Sequence, residues 1–252
     1  MKNIFHKTAI ISAFVVVSAL AAFSQTTTFS KIEEMPGWST CSSCAGANGS
    51  GPVASFSLKQ GISVPSMDGK SIQFFLGGST PYSNALYSKK LLTSASTASS
   101  KSHFIYDTYF YYKNASAVQG MEFNTSQYFG GKGFIFGVQC DVRSSGTWEI
   151  SVPDGANSSL AQMHWSGTGI ACPAPPTYKW NHLVLEYERT PDNKVHYISL
   201  TFNGVKKYVN KYYARRIAPS SWGGITTHYQ LNGNSKQDDY YAWIDQYKVT
   251  MW

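Results

Sequence analysis

The sequence predicts an all-β fold built from two packed antiparallel sheets. Short runs rich in Val, Ile, Thr, Tyr, Phe and Trp alternate with polar residues and are broken by Gly, Asn, Ser and Pro, which is the pattern of half-buried strands joined by turns. No window keeps apolar residues at three- and four-residue spacing over three turns, so long amphipathic helices are not expected. Only 14% of residues are charged while 15% are aromatic, a balance suited to an exported β protein with aromatic surfaces.

Residues 1–24 carry Lys2 and Lys7, then an uncharged run over 9–23, and end in Ala22-Phe23-Ser24. This predicts a cleaved signal peptide and a secreted chain that starts at Gln25, extracellular or periplasmic. The run falls short of the ~20 apolar residues that a spanning helix needs, and no later stretch is longer, so no membrane segment is expected after cleavage. Loss of the two lysines leaves 19 basic against 14 acidic residues, a balance of +5. The basic residues are scattered, with adjacent pairs such as Lys206-Lys207 and Arg215-Arg216 but without a basic helix. That argues against a nucleic-acid partner and for a solvated, mildly basic surface.

Residues 25–52 read as an irregular N-terminal segment in which Ile32-Glu33-Glu34-Met35-Pro36-Gly37-Trp38 precedes a Ser, Gly and Cys cluster. The four cysteines are Cys41, Cys44, Cys140 and Cys172. In an oxidising compartment they imply two bridges, most simply Cys41 to Cys44, pinning this segment, and Cys140 to Cys172, although three connectivities exist. A zinc or redox reading of Cys-Ser-Ser-Cys lacks a second such pair and a helix behind it.

Residues 53–252 form one domain, with no repeat, linker or composition break. Strands are expected at 53–58, 71–76, 104–112, 118–124 and 133–141, then at 147–152, 182–188, 195–202, 205–209 and 240–251. Asn203-Gly204 stands where a two-residue hairpin turn is wanted. The Ser, Thr and Ala stretch 93–100 reads as a loop.

Trp180-Asn181-His182-Leu183-Val184-Leu185-Glu186-Tyr187, the strand 195–200 with Thr201-Phe202-Asn203-Gly204 after it, and the last strand Trp243-Ile244-Asp245-Gln246-Tyr247-Lys248-Val249 together resemble the legume-lectin, laminin-G and glucanase (concanavalin A-like) superfamily. The resemblance spans 53–252 and implies an antiparallel two-sheet jelly-roll sandwich whose concave sheet binds or cleaves polysaccharide. The physical reading agrees, since a curved sheet with one face in the core leaves the other as a groove where aromatic rings stack on sugars.

Jelly-roll glucanases carry Glu-x-Asp-x-Glu or Glu-x-Asp-x-x-Glu on a concave strand, and the similar stretch here is Glu122-Phe123-Asn124-Thr125-Ser126-Gln127. Alternation puts Glu122 and Asn124 on one face and Phe123 toward the core. The resemblance sets Asn124 at the middle Asp and Gln127 at the second Glu. Retaining hydrolysis needs two carboxyl groups, whereas an amide only exchanges hydrogen bonds with sugar hydroxyls. The expectation is therefore a glycan-binding, non-catalytic groove formed by Glu122, Asn124, Gln127 and Gln139, with aromatic support from Tyr109, Trp148 and Trp165. Asp107, Asp141, Glu149 and Asp154 stay open as second carboxylates, and Asp107 with Tyr109 and Tyr111 faces either the groove or the reverse side. A purely structural Glu122 would pair with Arg143 or a lysine.

One other enzyme signal is weaker. Gln162-Met163-His164 is similar to the Gln-x-His strand of jelly-roll alginate lyases, with a later tyrosine within 208–213 as acid, but the Arg-rich and Tyr, Lys and Gly strands of those lyases are not reproduced. His182 reads as a packing residue, and Asp238-Asp239 as a solvated turn rather than a calcium site. No metal or cofactor is expected, and the partner is a glycan met by a monomer. Sequons stand at Asn48, Asn114, Asn124 and Asn157. The competing readings are a glycoside hydrolase or polysaccharide lyase of the same fold, and an adhesion domain without a sugar ligand.

Overall fold

Period-two alternation is written plainly into β6 (His103–Tyr112), where Phe104, Tyr106, Thr108, Phe110 and Tyr112 are buried and the residues between them are only partly covered. Each long strand makes a similar division, and two sheets sharing their apolar faces satisfy it. The computed structural model describes residues 25–41 and 54–252. The expected signal segment, Cys44, Asn48 and Val53 lie outside the described residues.

The back sheet runs β13 (Val205–Ala214), β12 (Lys194–Phe202), β11 (Asn181–Arg189), β6, β16 (Tyr240–Met251), β4 (Ser71–Gly77) and β3 (Ser55–Ile62), with β1 (Thr27–Phe29) beside β16. The front sheet runs β10 (Met163–Ala171), β9 (Thr147–Pro153), β8 (Lys132–Asp141), β7 (Val118–Phe129), β15 (Gly224–Gly233), β5 (Asn84–Leu92) and β2 (Ser39–Thr40), with β14 (Arg216–Ile217) against β8. The strand pairings are antiparallel throughout. The molecule is thus the two-sheet jelly-roll sandwich expected. The back sheet ends at β13, an edge strand on which Lys206, Lys207 and Tyr208 are exposed and Asn210 has φ 48°.

The shared core is aromatic. Phe74 lies 4.7 Å from Tyr87 and 5.1 Å from Tyr229, Phe123 lies 5.3 Å from Tyr229, and Tyr106 lies 4.7 Å from Tyr247, all between ring centroids. A tyrosine core has to place its hydroxyls. Tyr197 Oη donates to Ser151 O at 3.0 Å, and Tyr187 Oη donates to Thr125 Oγ1.

The sequence-based expectations differ from the structure at three places. Residues 25–41 add β1 to the back sheet and β2 to the front sheet, and a 3-10 turn (Ile32–Glu34) buries Ile32 under Trp38, whose Nε1 donates to Ile32 O at 3.0 Å. Within 93–100, residues Ala95–Ser99 form a short helix, α1, with Ser94 Oγ accepting from Thr97 N. One helical turn is too short to show a hydrophobic period, although its Ser cap is visible in the sequence. Strands β5, β10 and β15 join those expected.

The Cys140–Cys172 bridge is present, with Cα atoms 5.8 Å apart, and ties β8 to the segment after β10. No described cysteine is free. Among the described residues no helix is long and apolar enough to cross a membrane.

Two stability predictions follow from these features. The bridge closes a loop of sequence separation 32, so Cys140→Ala with Cys172→Ala lowers unfolding free energy by about 3–4 kcal/mol in urea titrations. Glu33 is fully buried and one carboxyl oxygen accepts from Tyr247 N at 3.0 Å, while its Oε1 has no partner. Burial pushes this carboxyl up to about 7. A raised carboxyl keeps its full contribution below the unfolded pKa of ~4.5 and loses it as pH climbs through 7. The melting temperature of Glu33→Gln therefore falls less between pH 5 and 8 than that of the parent.

Candidate functional site

The outer face of the front sheet is concave and polar, because the residues left over by the core on β5, β15, β7, β8 and β9 are mostly amides, hydroxyls and glycine. Register aligns them in rows. One row reads Gln230, Glu122, Gln139, Glu149 across β15, β7, β8 and β9. The next reads Ser88, His228, Asn124, Gly137 across β5, β15, β7 and β8, and continues through Ser151 to its β10 partner Trp165. From these rows Gln230, Glu122, Gln139, Asn124, Ser151 and Trp165 line a groove of about 740 Å³ that also touches Asn84, Asn232, Met163 and Arg216. It spans six strands, roughly 24 Å at the ordinary strand spacing.

Glu122 stands at the centre of the floor, half-buried. Its Oε1 accepts from Gln230 Nε2 and from Asn232 Nδ2, the latter at 3.0 Å, and among the described residues Oε2 has no hydrogen-bond partner. Burial pushes the carboxyl up to about 7, against the opposing pull of the two amides. Arg143 is not its partner, since that guanidinium donates to Val118 O and Ala115 O. On the other side of Gln139, whose Nε2 donates to Glu149 Oε2 at 2.6 Å, lies the second carboxylate of this face. Glu122 and Glu149 sit two strands apart, about 10 Å between Cα atoms by sheet geometry.

Gly137 keeps the floor open. A β-carbon there would stand 3.0 Å from Ser151 Cβ, 3.3 Å from Asn124 Nδ2 and 3.5 Å from Trp165 Cη2. The indole of Trp165 therefore reaches over the bare backbone of Gly137 toward the Asn124 amide. Nearby, His228 Nδ1 lies 2.8 Å from Ser88 Oγ, and burial pushes its pKa down to about 4, so the ring is neutral at pH 7.

The structure brings together Glu122, Asn124, Gln139 and Trp165, and separates the other three expected site residues from them. Gln127 is 0% exposed, its Nε2 donating to Ala98 O and Lys101 O at 2.6 Å and its Oε1 accepting from Arg189 Nε. Five positions from Glu122, period two puts it on the opposite face. Trp148 is 1% exposed, inside the sandwich against Phe123 and Phe202. Its neighbour Glu149 takes the groove side. Tyr109 lies on the outer face of the back sheet, stacked on His182 at 4.2 Å. Asp107 accompanies it there, bound to His182 Nε2 at 2.8 Å and to Lys248 Nζ at 2.9 Å.

The remaining candidates have structural partners. Asp141 holds its own turn through the amides of Arg143 and Ser144 at 3.1 Å. Asp154 pairs with His164 at 2.8 Å, and Gln162 Oε1 accepts from Ser159 N at 2.8 Å, so the Gln-x-His pattern is spent on the start of β10 and the loop before it. Asp238 accepts from Asn234 Nδ2 at 2.8 Å in a turn.

Gln230, Asn232, Asn84, Ser151 and Arg216 are groove residues that sequence reasoning missed. The signal for the first two is the run 225–232, in which Thr226, His228, Gln230 and Asn232 alternate with apolar Ile225, Tyr229 and Leu231 but for Thr227. For a hard cation, the described residues offer one cluster, Glu33, Glu34 and Asp68, with ligand atoms within 4.8 Å of one another. Lys31 neutralises it, 2.9 Å from both Glu34 and Asp68.

No family model matches the sequence, and no curated protein matches it. Among solved structures the chain is similar to a carbohydrate esterase of the Shiga toxin-encoding bacteriophage phi24B, at 15% identity over 90% of this chain and 99% of the other, with a TM-score of 0.47. It is similar to the lectin UEA-II complexed with galactose, at 12% identity over 89% and 98% of the two chains and a TM-score of 0.46. An alginate lyase from a Chlorella virus matches at 10% identity over 78% and 91%, with a TM-score of 0.47.

Proposed function

We propose that this chain is an exported carbohydrate-binding domain that holds a glycan in the front-sheet groove. The observation that carries the reading is Trp165 lying over the bare floor at Gly137, within a field of amides from Asn124, Gln139, Gln230 and Asn232. An indole face supplies stacking for a pyranose ring, and carboxamides give and accept hydrogen bonds with hydroxyls in both directions. Glu122 adds one further acceptor. Three of the four amide-bearing side chains are either bonded to Glu122 or opposite it in register, so the floor is held in place before a ligand arrives.

A second reading, hydrolysis, is favoured by one specific observation. Glu122 is pushed up to about 7, as suits a general acid, and Glu149 faces the same side two strands away. In that reading Glu122 protonates the leaving oxygen and Glu149 activates water. Gln139 stands between them and occupies Glu149 Oε2, which favours binding over turnover.

On a glycan array the parent chain binds a defined set of oligosaccharides, and Trp165→Ala weakens that binding by roughly 3- to 10-fold, the size of one stacking contact. Unchanged affinity in that variant removes the groove as the site. Incubation with glucans and xylans releases no reducing ends in the binding reading. Release that is abolished in Glu122→Gln establishes the hydrolytic one. The melting temperature of Glu122→Gln also falls less between pH 5 and pH 8 than the parent's, because the parent ionises a half-buried carboxyl across that interval and the amide does not.

A further inference from the structure

The groove contains one buried cation with no counter-ion. Arg216, the first residue of β14, is 5% exposed and lines the groove. Its Nη1 donates to Leu160 O at 2.8 Å and its Nη2 donates to Ser151 Oγ. Both acceptors are uncharged. Among the described residues no carboxylate forms an ion pair with it, and Asp154, the acid whose charge it feels, is already bound to His164 at 2.8 Å. A guanidinium carries five N–H donors and keeps its charge, so two neutral acceptors leave both donors and charge unmatched.

Its position bears on the ligand. Ser151, which it touches, lies between Gly137 and Trp165 in the floor row. The cation thus stands one side chain away from the indole, while Glu122 lies two strands off on β7. The amides cluster around Glu122, so hydroxyl-reading groups fill one half of the groove and a desolvated cation stands in the other.

We propose that the groove takes an acidic glycan, whose carboxylate or ester sulfate pairs with Arg216 while its ring lies on Trp165. This rests on the carbohydrate-binding reading and adds the substrate class to it. A planar guanidinium with free donors matches either oxyanion through paired hydrogen bonds, and the low exposure of the site protects the pair from screening. The general basic charge of the surface is a different and weaker attraction, carried by exposed side chains such as Lys206 and Lys207.

The test uses the secreted chain and defined polymers in affinity electrophoresis and calorimetry: polygalacturonate and alginate as carboxylates, carrageenan as a sulfate, carboxyl-reduced polygalacturonate and xylan as neutral controls. The expected result is at least 10-fold tighter binding of an acidic polymer than of the neutral ones. Arg216→Gln removes that preference, and Lys206→Gln with Lys207→Gln leaves it intact. Whichever acidic class binds better identifies the oxyanion. Should Arg216→Gln fail to fold, the comparison of native with carboxyl-reduced polygalacturonate and of carrageenan with xylan on the unaltered chain decides alone. Equal binding of acidic and neutral polymers, with Trp165→Ala weakening both, overturns this proposal and leaves the carbohydrate reading standing. Loss of acid preference in the double lysine variant overturns it in favour of diffuse surface charge. Binding to none of the polymers sinks both readings.

Discussion

The double-sided pairing of β7 sets the rest of the structure. Glu122 is held opposite Gln230 on one neighbour and Gln139 on the other, and the alternate residues Met121 and Phe123 are fully buried among the aromatic rings of the core. A slip of one residue would turn Phe123 outward and bring Glu122 into contact with tyrosine and phenylalanine rings, so the core enforces the register that builds the groove. Packing and site are one constraint read on two faces of the same strand. The tyrosine hydroxyls reinforce it, since Tyr187 reaches Thr125 on β7 and Tyr197 reaches the carbonyls of Ile135 and Ser151 beneath the floor.

The groove is polar yet nearly free of full charge. Glu122 is only partly ionised at pH 7, and most other groove-lining polar groups are carboxamides and hydroxyls. Such a surface exchanges water for sugar hydroxyls at little electrostatic cost, because neutral donors and acceptors are desolvated far more cheaply than ions. Against that background a single desolvated guanidinium has more influence than it would on the charged exterior.

The fold was legible wherever a strand has one wet and one dry face. The alternation of β6 and the apolar residues of β16 mark those strands without a structure. β10 was harder, because Gly167, Gly169 and Thr168 dilute its pattern, and the short strands of residues 25–41 carry too few residues for a period to register. Within the site, Glu122 and Asn124 were readable from parity, as was the disulfide from the cysteine count. Gln127 was misplaced because the motif comparison counts residues whereas the strand counts faces, and five is odd. Trp148 and Tyr109 were misplaced for a related reason: an aromatic side chain carries no mark of whether it is packing or platform, and the two faces of a strand are distinguished only by what the opposite sheet presents. Arg216 was out of reach because it enters the groove from a two-residue strand whose place beside β8 depends on the chain crossing from the back sheet to the front sheet within one residue after β13.

The lysines of β13 bear on how the protein is handled. This edge strand presents unpaired backbone groups along one side, and positive charge together with the left-handed Asn210 discourages a second copy from extending the sheet there. Reagents that acylate primary amines, commonly used to attach dyes or to couple proteins to beads, would neutralise Lys206, Lys207 and Lys211 in one step. Protein labelled that way acquires a tendency to stack edge to edge into aggregates, and its multivalent forms would mimic tight ligand capture. Attachment through a terminal tag avoids that artefact.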